Sequence, residues 1–127
     1  MVDLTNFQEF NFKEGVPYIS VTNNGITFNR SVVVKMGYPE HVRLLIDSAE
    51  CLIALQRSED TSSNAVPFYK ERKNGVLSVR WNAKDLINTI SRITEWNLKQ
   101  QSYRVNGDYY PEQGLMLFDL KEATELK

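Results

Sequence analysis

Lys84, Asn88 and Arg92 recur at every fourth position of a stretch whose apolar residues have helical spacing, which places all three on one polar helix side. Arg72 and Arg80 precede them at outward positions of expected strands; Arg30 stands just before an earlier short helix and Lys35 within it. Lys and Arg neutralise phosphates and an interleaved Asn can read a base edge, so this set suits contact with duplex DNA. The same spacing is also what any amphipathic helix needs for its solvated side. A formal net charge of −1 gives the chain no general attraction for a polyanion. The charge is uneven, however. Between positions 70 and 104 stand eight Lys or Arg residues against three Asp or Glu, a basic sector within a neutral whole.

The aromatic residues Trp81, Trp96, Tyr103, Tyr109 and Tyr110 suit either stacking on exposed bases or anchoring a protein interface. Core packing explains such residues as readily, and Tyr109-Tyr110-Pro111, placed in a turn, is the pair expected at the surface. His41, the only histidine, has Glu40 and Asp47 near it in sequence but no nucleophile with which to act. Cys51 lies in the apolar run Cys51-Leu52-Ile53-Ala54-Leu55 and is expected to be a buried, inert thiol. One Cys and one His cannot supply a usual zinc site, and there is no Gly-rich phosphate loop. The expectation is a non-enzymatic protein with no cofactor and no metal.

These residues must be positioned by a chain of 127 residues, enough for one core without disulfides or metal. Hydrophobic content of 42% and charged content of 24% are those of a globular protein. A single cysteine, the absence of a signal-peptide pattern and the absence of a long apolar run lead us to expect a reduced, cytoplasmic, soluble protein without a membrane span.

Two Asn-Gly dipeptides, Asn24-Gly25 and Asn74-Gly75, stand between strand-like stretches, and such dipeptides favour type I′ hairpin turns. The first predicts a hairpin of Tyr18, Ile19 and Val21 with Ile26-Thr27-Phe28. A short helix from Ser31 to Met36 follows, ended by Gly37 in a left-handed conformation and by Pro39. A second hairpin joins Val42–Ile46 to Leu52–Leu55 through a turn at Asp47-Ser48-Ala49-Glu50. The second dipeptide predicts Phe68–Arg72 paired with Val76–Trp81, then a helix over about 83–94 capped by Asn82, with Ala83, Leu86, Ile87, Ile90 and Ile93 inward. Ser102–Tyr109, a turn at Pro111-Glu112-Gln113-Gly114 and Leu115–Leu120 close the set. The expected organisation is an arm over 1–15 that docks Phe7, Phe10 and Phe12 on the core, a first unit over 16–57, a linker over 58–66, a second unit over 67–121, and a tail over 122–127 that frays or forms one helical turn. Neither unit closes a core alone, so the expected fold is α+β: two hairpin–helix–hairpin units packed about a pseudo-twofold, with antiparallel strands and two short helices.

In the first unit, Asn24–Phe28, then Val32-Val33-Val34-Lys35-Met36-Gly37-Tyr38, then Pro39–Asp47 and Leu52–Gln56 follow the order turn, strand, helix ending in Gly, and strand pair. This order resembles the swapped-hairpin domain of the SpoVT/AbrB superfamily, over about 40 residues, and is loosely echoed in the second unit. Asn29-Arg30-Ser31 stands where that family usually has Pro, and Glu40-His41 where it tends to have Gly-Asp. The resemblance implies dimerisation by interleaved hairpins, or two copies in one chain as in the MraZ group, and DNA binding as a transcription regulator. Arg30, Lys35, Arg72, Arg80, Lys84, Asn88 and Arg92 would then contact DNA, from a monomeric pseudo-dimer or a homodimer. The alternative expectation is a protein–protein interaction module without nucleic-acid binding, such as a phage- or mobile-element-borne inhibitor or assembly factor, which the neutral charge and the aromatic residues favour.

Overall fold

The computed structural model describes residues 1–9, 15–59 and 64–126. The strands are β1 (Tyr18–Thr22), β2 (Gly25–Phe28), β3 (His41–Asp47), β4 (Leu52–Arg57), β5 (Val66–Pro67), β6 (Val79–Trp81), β7 (Ser102–Tyr110), β8 (Leu115–Asp119) and β9 (Thr124–Leu126). The helices are α1 (Arg30–Lys35) and α2 (Lys84–Thr94). All strand pairs are antiparallel in one curled sheet of order β5-β3-β4-β8-β7-β1-β2-β6, with β9 added on β7. The α+β class with antiparallel strands is as expected; in place of two like helices there is one main helix, α2, beside the short α1. Among the described residues no helix is long and apolar enough to cross a membrane.

Strand periodicity sets the inner face of this curl, because alternate side chains leave a strand on opposite sides. Ile19, Val21, Ile26, Phe28, Ile53, Leu55, Met116 and Phe118 are all fully buried on it. β7 turns the sheet: its first half pairs with β1 and β9, its second half with β8. At Gly107 the interior has no room, since a Cβ there would lie 2.7 Å from Phe118 Cε1 and 2.8 Å from Met116 Sδ. α2 places Ile87 and Ile90 against this interior, with Leu86 and Ile93 half-buried beside them.

α1 forms despite three successive valines. Each β-branched residue costs about 0.5 kcal/mol of helix propensity, whereas burying a valine side chain returns about 1.5–3 kcal/mol. Val32 and Val33 are fully buried, so burial decides. Asn29 fixes where the helix starts. Its Oδ1 accepts from Tyr18 N at 3.0 Å and from Val32 N at 3.3 Å, while its Nδ2 donates to Val16 O at 2.9 Å. Gly37 ends the helix with φ +77°, as its position in the sequence leads one to expect.

Several sequence expectations are corrected. Thr22 pairs with Gly25, so the first turn is Asn23-Asn24, and neither residue has a positive φ; it is not type I′. Gly25 is required for a different reason: a Cβ there would come 2.5 Å from Trp81 O, where β6 lies against β2. The hairpin of Phe68–Arg72 with Val76–Trp81 does not form. Gly75 does adopt φ +73° and donates to Arg72 O at 3.1 Å, but residues 68–78 are not strands and β6 pairs with β2 instead. Asn82 does not cap α2; its Oδ1 accepts from Arg80 Nε at 2.9 Å, and the capping position falls to Ala83, which has no side-chain bond to give. Residues 1–9 of the arm are exposed, Phe7 at 69%, rather than docked; Phe10 and Phe12 lie outside the described residues. The tail carries a 3₁₀ turn at Leu120–Glu122 and then β9, paired with Ser102–Arg104.

The two ends of the sheet, β5 and β6, meet around one aromatic group. Phe28 of β2 has its ring centroid 5.2 Å from Phe68, 4.9 Å from Trp81 and 6.3 Å from Phe118, all edge-on. Phe68 directly follows β5 and also touches Trp81 of β6, at 5.9 Å. Replacing Phe28 by Ala removes the common partner and should cost about 3–5 kcal/mol of stability, whereas Phe7→Ala on the exposed arm should stay within about 0.5 kcal/mol. Urea unfolding of the two variants measures both.

Candidate interaction site

The residues expected to bind DNA fall in separate places. Lys84, Asn88 and Arg92 are all exposed on α2, opposite the side that carries Ile87 and Ile90. Arg80 stands on the outer face of β6, where Nε donates to Asn82 Oδ1 and one terminal nitrogen donates to Thr27 Oγ1 at 3.3 Å, across the Thr27–Arg80 strand pair. Arg72 is exposed in the loop before Asn74-Gly75. Arg30 and Lys35 belong to α1, and Lys35 borders a polar groove of about 520 Å³ with Gln8, Asp108, Tyr109 and Tyr110. The structure thus joins three of the seven on one helix face and sets the others elsewhere.

The aromatic residues are mostly engaged within the chain. Trp96 stacks on Tyr103 at 4.0 Å and 14°, Trp81 belongs to the Phe28 group, and Arg104 lies 4.0 Å over the Tyr18 ring. Tyr110 is exposed as expected, while Tyr109 packs against the core. Cys51 is not fully buried. It sits half-exposed in the turn before β4 with φ +55°, and its thiol donates to Ile93 O at 3.4 Å, which ties the end of α2 to that turn. Beside it Lys121 Nζ lies 3.1 Å from Asp119 and donates to Glu50 O; the carboxylate hydrogen bond holds the ammonium above its ordinary pKa. His41 and Cys51 occupy opposite ends of the β3–β4 hairpin, about 20 Å apart by strand rise. Among the described residues no group of His, Cys, Asp and Glu could hold a metal ion.

An apolar opening lies between the two ends of the sheet path. A cleft of about 650 Å³ is lined by Leu44 of β3, Val66 and Pro67 of β5, Arg80 and Trp81 of β6, and Ala83 and Leu86 at the start of α2, with Asn64 and Asn82 also contributing. Its volume lies in the range of about 300–1,000 Å³ found for binding sites, and its lining has their character, apolar walls with a few polar groups. Its rim includes Arg80 and adjoins Lys84, and the unfilled cap at Ala83 leaves the positive end of the α2 dipole there. Sequence reasoning missed this cleft because it assigned Phe68–Trp81 to a hairpin; the available signal was Pro67, a residue confined to edge strands. No family model matches the chain, and comparison with curated proteins and with solved structures finds no match either.

The ends of α2 separate structural from binding roles for its charges. Glu in place of Lys84, in the first turn, complements the dipole and should raise stability by about 0.3 kcal/mol, whereas Arg92→Glu, in the last turn, should lower it by about 0.5 kcal/mol. Thermal unfolding at low salt tests both signs, and added salt should shrink both effects.

Proposed function

We propose that the chain is a non-enzymatic protein-interaction module whose binding site is the cleft between β5 and β6. The cleft itself carries this reading: it joins apolar wall residues to an aromatic anchor, Trp81, which is the chemistry of a protein interface core. The separation of His41 from Cys51 supports the non-enzymatic part. If the reading is right, the protein immobilised and exposed to extract of its host retains one stoichiometric protein. Leu86→Glu, which places a charge in the wall, abolishes that capture, and Arg92→Glu, far along α2, leaves it intact. Recovery of nucleic acid in place of a protein contradicts it.

A second reading, an AbrB-like DNA-binding regulator built as two pseudo-twofold units, is favoured by one observation: Lys84, Asn88 and Arg92 share an exposed helix face. It requires a duplex shift at about 50 mM salt that falls steeply as salt rises and weakens when Lys84 and Arg92 are both changed to Glu. The interaction reading expects no such shift.

A further inference from the structure

We infer that the cleft receives the arm of a second copy of this chain, with Val2-Asp3-Leu4 added as a strand on the free side of β6. This rests on the cleft being an interaction site, as proposed above, and names one occupant for it. β6 has β2 on one side and, among the described residues, no strand on the other. The direction of its backbone groups follows from register. Thr22 and Gly25 close a two-residue hairpin as a hydrogen-bonded pair, and Asn29 N donates to Tyr18 O at 3.0 Å, so the alternation along β2 turns Ile26 and Phe28 toward β6. Their partners Trp81 and Val79 therefore bond to β2, and Arg80 presents its N–H and C=O to the open side.

The arm has the complementary pattern. Val2 and Leu4 are 69% and 66% exposed, and Asp3 stands between them. Set antiparallel to β6, Asp3 falls opposite Arg80, while Val2 and Leu4 fall on the inner side with Trp81 and Val79 and meet the apolar wall of Leu44, Val66 and Leu86. Asp3 and Glu9 are the charged side chains of residues 1–9, and among the described residues the one charged side chain lining the cleft is Arg80. Docking would exchange the local bonds of Asp3 to Thr5, whose amide lies 3.0 Å from Asp3 Oδ1, for the cross-strand pair. Chains joined in this way bury the exposed arm and fill the cleft between β5 and β6.

Sedimentation of the full chain over a range of concentrations tests this, with charge reversal across the pair. Self-association should rise with concentration, weaken about fivefold in Asp3→Arg and in Arg80→Asp, and return when both changes are present in one chain. Leu4→Glu should abolish it. Asp3 and Leu4 are exposed, so their variants stay folded, and circular dichroism checks this for Arg80→Asp. A chain that stays monomeric, association indifferent to Leu4→Glu, or a double variant no better than either single one overturns the inference. If the arm fails these tests while Leu86→Glu still abolishes capture of another protein, the cleft remains an interaction site and only this occupant is wrong.

Discussion

The contact of Phe28 with Phe68 and Trp81 holds the rest of the molecule in place. The path of eight paired strands has two ends, β5 and β6, and these border one cleft without pairing to each other among the described residues. Edge-on aromatic pairs at these separations contribute about 0.5–1.5 kcal/mol each beyond the area they bury. Phe28 lies at the centre of three of them and is fully buried. One ring from β2, one from the residue after β5, one from β6 and one from β8 therefore tie the curl across its gap. α2 then covers the interior with Ile87 and Ile90, and its far end is tied down by the Cys51 thiol.

The cleft follows from the same arrangement. Phe68 passes inward, which fills the interior but leaves the short β5 as the last paired segment on that side. β6 is equally short, so two brief edges face each other over Leu44, Val66, Pro67, Trp81 and Leu86. A protein that closed this gap with its own strand would have no such opening. Leaving it exposes apolar surface and unpaired strand edge together, a combination that natural proteins ordinarily cover or blunt. The proposal that a protein segment covers it is the physical answer to that exposure.

Local signals in the sequence told correctly where they were strong. The alternation in Tyr18–Thr22, Leu52–Arg57 and Leu115–Asp119, the apolar stripe of α2, and Gly37 as a helix end were all legible, because each depends on neighbours within a few residues. Asn74-Gly75 misled because a favourable turn does not by itself decide what pairs on either side of it. The turn geometry at Gly75 is there, yet Val79–Trp81 gains more from β2, reached only through a contact of long sequence separation. Gly25 misled in the other direction: the residue was needed, but for a close approach to Trp81 O that no local pattern reveals. Of the seven positions expected to bind DNA, Arg30, Arg72, Arg80, Lys84, Asn88 and Arg92 are exposed and Lys35 is half-buried, while their division among α1, a loop, β6 and α2 depends on topology.

The central claim is that Phe68 turns inward to join the two ends of the sheet rather than outward into a hairpin. Nuclear Overhauser spectroscopy of the aromatic protons addresses it directly. With ring centroids 5.2 Å and 5.9 Å apart, the Phe68 ring should show cross-peaks to both the Phe28 ring and the Trp81 indole. Absence of those peaks, with Phe68 and its neighbours instead showing cross-strand contacts to residues 76–78 around the Asn74-Gly75 turn, would contradict the account of the seam and of the cleft beside it.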